Sequence, residues 1–223
     1  MTSLSSLLSE VKHLQNSSVV KIFKSKKHTV ALIKKEEKFF VLKWYEPGFQ
    51  NSFFQESKIL HEIKRQVLIP KLIESNREHQ FLLLEYIPGK NVCDQINNQN
   101  IETKEKTRII QQVAHWFYQF HSYYQQKSIS LIHGDAHLRN FIITTNQTVY
   151  GLDFEESKPG KVSEDVANLC ASILTTNPSF TKEKKQLQHQ FIETYEQIIH
   201  QQIKNIDSLV KKAVKKTIQR RKK

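Results

Sequence analysis

The sequence predicts an α+β protein, strand-rich over its first 90 residues and mainly helical after them. Three observations predict this. Short apolar and β-branched runs crowd the first part, apolar residues recur at helical spacing in the second, and Pro88-Gly89 breaks the chain between the two patterns. The expected division is an N-terminal lobe of residues 1–86 and a C-terminal lobe of residues 87–223, with a cleft between them.

VVKIF (19–23), TVALIK (29–34) and KFFVLKWY (38–45) read as strands separated by polar turns at SKK and KEE. NSFFQESKILHEIKRQ (51–66) carries apolar residues at 53, 59, 60 and 63, a helical period, with Asn51 or Ser52 as N-cap. KLIES (71–75) and FLLLEY (81–86) read as two more strands. Beyond the Pro-Gly break, 104–124 places Ile109, Val113, Trp116, Phe117 and Phe120 on one helical face. SEDVANLCASIL (163–174) and the run 182–219 are also helical. In that run Phe191, Tyr195, Ile198, Ile203, Ile206 and Val210 form a stripe, and Asp207-Ser208 is the expected division into two helices.

Composition narrows the class. With 38% hydrophobic residues and 13 Phe in 223, the chain can bury a core and is no disordered tail. No stretch approaches the ~20 apolar residues of a membrane-spanning helix. MTSLSSLLSEVKHLQ has neither a basic start nor a long apolar run, so a cytoplasmic protein is expected. Cys93 and Cys170 form no CxxC pair, which argues against a zinc site and a disulfide framework. The 34 Lys and Arg exceed the 22 Asp and Glu, a formal +12. Segment 211–223 holds eight of the basic residues and no acid, leaving +4 without it. Such a tail can attract nucleic acid or an anionic surface. The reading favoured here is a solvated, frayed helix end whose basic residues suit the helix dipole.

LIHGDAHLRNFIITTNQTVYGLDFEE (131–156) gathers two His, two Asp, two Asn and two Glu around a short apolar segment. FIITT and VYGLDF flank a polar turn. A turn over Thr145–Thr148 sets Asn140 opposite Asp153, and directly opposed residues lie about 4.5–5.5 Å apart at Cβ. An amide oxygen and a carboxylate at that separation suit one small hard cation. Taken singly, each would be ordinary turn or cap chemistry. Asp135 lies on the loop leading into the hairpin and reaches the same space.

Two charges of the N-terminal lobe also stand in unusual places. The pleat of KFFVLKWY puts Lys43 on one face with Phe39, Val41 and Tyr45. Glu56 falls on the apolar stripe of its helix with Phe53, Leu60 and Ile63. A buried carboxylate is costly unless a cation meets it, and Lys43 is the candidate.

HGDAHLRN (133–140) followed by GLDFEES (151–157) resembles the aminoglycoside phosphotransferase and choline kinase branch of the protein-kinase-like superfamily. VLK (41–43), Glu56, EYIPG (85–89), the Phe120-His121 pair, and Gly160 with Asp165 five residues on extend the likeness over roughly residues 19–175. The resemblance implies a two-lobed kinase-like fold, with an antiparallel sheet and one helix in the N-terminal lobe. It implies a kinase using ATP and Mg²⁺ to phosphorylate a hydroxyl of a small molecule. Lys43, held by Glu56, would contact the α/β-phosphates; the backbone around Glu85, Tyr86 and Ile87 would meet adenine. Asp135 would orient the acceptor hydroxyl and take its proton, while Asn140 and Asp153 would hold Mg²⁺. His133 and Asp165 would brace the loop, His137 would pack within it, and Glu155 would be structural.

There are departures. The first hairpin, SKKH, has no glycine, Arg139 stands where many relatives have Gly, and only about 50 residues follow Asp165. Two other functions therefore stand beside the small-molecule kinase. One is a small atypical kinase or ATPase acting with a tRNA-modifying or other RNA–protein complex, favoured by size and basic tail. The other is a pseudokinase scaffold, disfavoured because Lys43, Asp135 and Asp153 are all present.

Overall fold

Alternating apolar residues on short strands need cover on both faces of a sheet, and the first part of the chain supplies it. In a computed structural model describing residues 4–63 and 66–221, the chain forms two units. The first contains the residues up to Ile63 together with Pro70–Ile87; the second contains Pro88 onward together with 66–69.

The first unit opens with α1 (Leu4–Glu10) and a short 3-10 turn over Lys12–Leu14. Then follow β1 (Ser18–Phe23), β2 (His28–Lys35), β3 (Lys38–Tyr45), α2 (Gln50–Glu62), β4 (Leu72–Asn76) and β5 (Phe81–Glu85). The strands form one antiparallel sheet in the order β1-β2-β3-β5-β4. Ala31, Ile33, Leu42, Phe81 and Leu83 point to one face, where Leu7, Leu8, Val11 and Leu14 cover them. That N-terminal cover was not foreseen from the sequence. On the other face Lys43 stands between Val30 of β2 and Leu82 of β5, paired with it across the ladder.

α2 begins one residue before its expected N-cap. Phe49 takes the capping position without a side-chain hydrogen bond, so neither Asn51 nor Ser52 is the cap. The helix closes at Glu62, where Ile63 is extended, instead of running to residue 66. Positions 64 and 65 lie outside the described residues. The helical phase is the expected one, and Phe53, Glu56, Ile59 and Leu60 are buried.

The second unit contains β6 (Lys90–Asn91), α3 (Val92–Asn97), α4 (Thr103–Gln125), β7 (Leu131–Ile132), β8 (Phe141–Ile143) and β9 (Val149–Gly151). It continues with β10 (Lys158–Pro159), α5 (Val162–Thr175), α6 (Lys182–Ile199) and α7 (Ile206–Arg221). Its core centres on Trp116 of α4, whose indole stacks on Phe120 at 5.3 Å and meets Phe141 edge-on at 5.2 Å. The indole N–H donates to the Leu68 carbonyl at 2.8 Å, so the one polar atom of that ring is satisfied.

Two expectations need correction here. The long helical run divides at His200, which takes a left-handed φ of +52° and caps α6, and not at Asp207-Ser208. Asp207 lies inside the first turn of α7, where a carboxylate suits the positive helix end. The basic tail is not frayed either. α7 stays helical to Arg221, buries Val210 and Ala213, and its Arg221 guanidinium donates to the Thr175 carbonyl at the end of α5. Residues 222 and 223 of that tail lie outside the described residues.

Candidate functional site

In the first unit the two misplaced charges meet. The Lys43 ammonium donates to Glu56 Oε2 at 2.6 Å, with only 7% and 2% of the two residues exposed. Tyr45, two residues along β3 and on the same face, donates its hydroxyl to the same oxygen. Sheet pleat and helix phase, each readable by itself, thus deliver one buried ion pair with a third polar partner. Glu85, Tyr86 and Ile87 follow at the end of β5. Glu85 is exposed and its backbone N–H bonds to Lys71 O at 2.9 Å, Tyr86 is half-buried near Phe39, and Ile87 is buried.

The first hairpin turns through Lys24, Ser25, Lys26 and Lys27, all exposed. Ser25 Oγ accepts from the His28 N–H at 3.3 Å, so a hydroxyl organises this turn where the resemblance would have glycines.

In the second unit the loop 133–140 hangs from a buried carboxylate. Asp165 accepts from the backbone N–H of His133 at 2.6 Å and of Gly134 at 3.0 Å, and meets His121 Nε2 at 3.1 Å. Burial would raise this carboxyl, but the His121 hydrogen bond and the neighbouring histidine charges outweigh it and hold it low. His121 Nδ1 in turn meets the Tyr195 hydroxyl at 2.8 Å, a phenol that burial pushes above its ordinary range. A Tyr–His–Asp chain drawn from α6, α4 and α5 therefore fixes the start of the loop. Asp165 and His133 brace it as expected; the Tyr195 end was not foreseen. No sequence spacing links residues 74 positions apart.

Gly134 has φ +84°, and a Cβ there would stand 2.0 Å from the Glu156 carbonyl oxygen. Only glycine fits. This close approach seats the GLDFEE segment against the HGD segment, and His133 Nε2 adds a 3.0 Å contact to the Leu152 carbonyl.

Asp135 follows. His137 Nε2 lies 3.2 Å from its Oδ2, so His137 packs within the loop and touches the carboxylate itself. Burial acts to raise the Asp135 carboxyl. The hydrogen bond from His137 and the charges of His137, His133 and Arg220 prevail and hold it down to about 2. It is ionised at any ordinary working pH. Asn140 is buried, and its Nδ2 donates to the Asp135 backbone carbonyl at 2.9 Å.

The hairpin register differs by one residue from the expected one. Phe141 pairs with Gly151 and Ile143 with Val149, and the Leu152 N–H bonds to Asn140 O at 2.9 Å. Asn140 therefore opposes Leu152, not Asp153. The turn is the cause. Thr144 and Thr148 close a three-residue loop whose last member, Gln147, is left-handed at φ +60°, whereas a turn over Thr145–Thr148 has a loop of two. Asp153 lies one residue past the ladder and is itself left-handed at φ +64°, an uncommon state for a non-glycine residue. Phe154 is fully buried against the Trp116, Phe120 and His133 rings, and so anchors the residue after Asp153.

Residues 49–191 match the profile of the ABC1 atypical kinase-like domain. The chain belongs to that family. Among solved structures, this ABC1-type chain is similar to a Ralstonia eutropha JMP134 protein assigned to the aminoglycoside phosphotransferases. That protein is 15% identical with a TM-score of 0.65, over 93% of this chain and 84% of that one. It is equally similar to the ADP-bound aminoglycoside phosphotransferase APH(2'')-Ib, at 15% identity and a TM-score of 0.65, over 94% and 86% of the two chains. No curated protein matches it in sequence. The ABC1-type chain therefore has the protein-kinase-like fold of the aminoglycoside phosphotransferase branch, with an antiparallel N-terminal sheet and a helical C-terminal part. Among its described residues no helix is long and apolar enough to cross a membrane.

Proposed function

We propose that the chain is an ATP- and Mg²⁺-dependent phosphotransferase that moves the γ-phosphate of ATP to a hydroxyl group of a small molecule. One observation carries the reading: hydrogen bonds link the Asp135 carbonyl to the Asn140 side chain and the Asn140 carbonyl to the Leu152 N–H. This chain puts an ionised carboxylate, an amide oxygen and the carboxyl group of Asp153 along one strip of backbone. Because Asn140 Nδ2 is committed to Asp135, Oδ1 is the atom it has left for a cation.

Asn140 Oδ1 and the Asp153 carboxylate make an oxygen donor set of the kind a hard divalent cation takes. Bound Mg²⁺ would neutralise charge on the β- and γ-phosphates. Lys43 would hold the α/β-phosphates. The Glu56 carboxylate, 2.6 Å away, orients its ammonium. The backbone at Glu85, Tyr86 and Ile87 would take the adenine, which carries no charge to neutralise.

Transfer forms a bond between the acceptor oxygen and the γ-phosphorus. The bond from that phosphorus to the bridging oxygen breaks, and ADP leaves. The acceptor proton passes to Asp135 and on to water. A carboxyl near pH 2 is a weak base, so Asp135 acts chiefly by orienting the hydroxyl, and takes the proton late. That suits a loose transition state, which asks for positioning and charge neutralisation more than for a strong nucleophile.

The test is ligand-induced stabilisation of the full chain. Mg·ATP at about a hundred times its dissociation constant should stabilise it by about 2.7 kcal/mol, a shift of several degrees in midpoint. EDTA should remove most of that shift. An unchanged midpoint at millimolar Mg·ATP overturns the reading.

A further inference from the structure

α7 presents two unlike faces. It packs on α5 with Val210 and Ala213 buried, and its Arg221 guanidinium donates to the Thr175 carbonyl at the end of that helix. Away from those residues Lys211, Lys212, Lys215, Lys216 and Arg220 are all exposed. At 3.6 residues per turn they form one stripe, about 14 Å long. Asp207, in the first turn, is the only acidic residue of the helix. Among the described residues none of the four lysines forms an ion pair or a side-chain hydrogen bond.

Neither helix stability nor plain solvation accounts for that stripe. The helix dipole favours cations only in the last turn, and the four lysines precede it. Lys211 with Lys215, Lys212 with Lys216, and Lys216 with Arg220 are like charges four residues apart, an arrangement that destabilises a helix. α2 and α4 instead pair opposite signs, with Lys58 3.9 Å from Glu62 and Arg108 3.6 Å from Glu105. A face that repels itself is relieved when an anion covers it.

We propose that this face of α7 docks a nucleic-acid duplex through its phosphate backbone, without reading its sequence. The choice of partner follows from what the face holds and what it lacks. A helix that lies on a membrane sinks an apolar face into it, and the apolar face of α7 is already packed on α5. A protein partner needs an apolar or aromatic centre, and among the described residues no exposed large apolar side chain lies on α7. Single strands are held by stacking on aromatic rings, and residues 206–221 contain none. A duplex backbone asks only for closely spaced cations. Along the 14 Å or so of the stripe it presents about eight phosphates, at one per ~1.7 Å of axis. The basic run is plain in the sequence, but the packing that turns its charges outward on a fixed helix is not. This inference goes beyond the phosphotransfer reading and does not depend on it.

The experiment titrates the full chain against labelled duplex RNA, duplex DNA, a matched single strand and phosphatidylglycerol vesicles, across about 50 to 200 mM salt. A duplex should bind with an association constant that falls about a hundredfold over that range, a log–log slope of about −4. Lys211→Gln, Lys212→Gln, Lys215→Gln and Lys216→Gln together should lower duplex affinity by about tenfold or more and remove most of the slope. The same change at Lys58, Lys104, Lys182 and Lys185, which are exposed on other helices, should leave both near the wild-type values. Lys212→Gln and Lys216→Gln alone should each take about one from the slope, which keeps the test decisive if the fourfold variant misfolds. Binding of either RNA or DNA duplex supports the proposal, and the tighter one names the source. No duplex binding at the lowest salt, tighter binding to the single strand or the vesicles, or equal losses in the two fourfold variants overturns it. Stabilisation by Mg·ATP should be the same in the wild type and the α7 variant, so failure of this inference and failure of the phosphotransfer reading are told apart.

Discussion

Lys43 and Glu56, thirteen residues apart on a strand and a helix, share a hydrogen bond of 2.6 Å in the interior of the first unit. Its Coulomb attraction does little more than repay the desolvation of both groups, so the pair is poorly explained by stability alone. Breaking it by half is a different matter. Glu56→Ala leaves a buried ammonium without its carboxylate and should cost about 3–5 kcal/mol in urea unfolding. Lys43→Met with Glu56→Leu should cost much less while still weakening Mg·ATP binding. A double variant that costs as much as the two single substitutions added together would show that the two side chains act independently.

This pair was legible in the sequence because both of its coordinates are local. The period of two in KFFVLKWY and the helical stripe around Glu56 need no tertiary knowledge, and both phases held in the structure. The hairpin register was legible only to within one residue. Its turn length depends on Gln147 adopting a left-handed φ, a state for which glutamine gives no signal. The α6–α7 break failed for the same reason at His200. Tyr195 was out of reach altogether, since its role comes from the packing of α6 on other helices.

The Tyr195–His121–Asp165 chain should govern the loop more than the nucleotide. Asp165→Asn removes the charged acceptor of two backbone N–H groups, whose charge-assisted bonds are worth about 1.5–3 kcal/mol each. The expected result is a marked loss of kcat with the KM for ATP largely kept. Because the Asp165 carboxyl is held below its ordinary range when folded, its contribution is present above about pH 3.9 and lost as the pH falls below it. The wild type should therefore lose stability on acidification more steeply than Asp165→Asn, as read by thermal unfolding from about pH 5 downward through about pH 2. Parallel curves would remove Asp165 from the account.

His137 should set the ionisation of Asp135. In the wild type that carboxyl is held down to about 2, so stability tied to it persists to lower pH than an ordinary Asp would allow. His137→Ala removes the strongest contact that holds the carboxyl down, and carbon-13 NMR of Asp135 should show its midpoint rise toward the ordinary range near 4. A midpoint that stays near 2 would assign the effect to other groups.

Gly134→Ala should disable the loop without touching a reacting atom. The added carbon would stand 2.0 Å from a backbone oxygen at a positive φ, so no side-chain rotation relieves it. Loss of turnover together with a lower unfolding midpoint is expected. Full activity would mean that the HGD and GLDFEE segments need not be in contact.

The most direct test of the account is Mg²⁺-dependent ATP turnover by Asp153→Ala. Asp153 is half-buried and lies beyond the hairpin ladder, so its truncation should spare the fold, as circular dichroism would show. The account predicts that turnover falls by about two orders of magnitude or more, the scale expected on removing charge stabilisation from a transition state. A folded Asp153→Ala protein turning over ATP at the wild-type rate would contradict it.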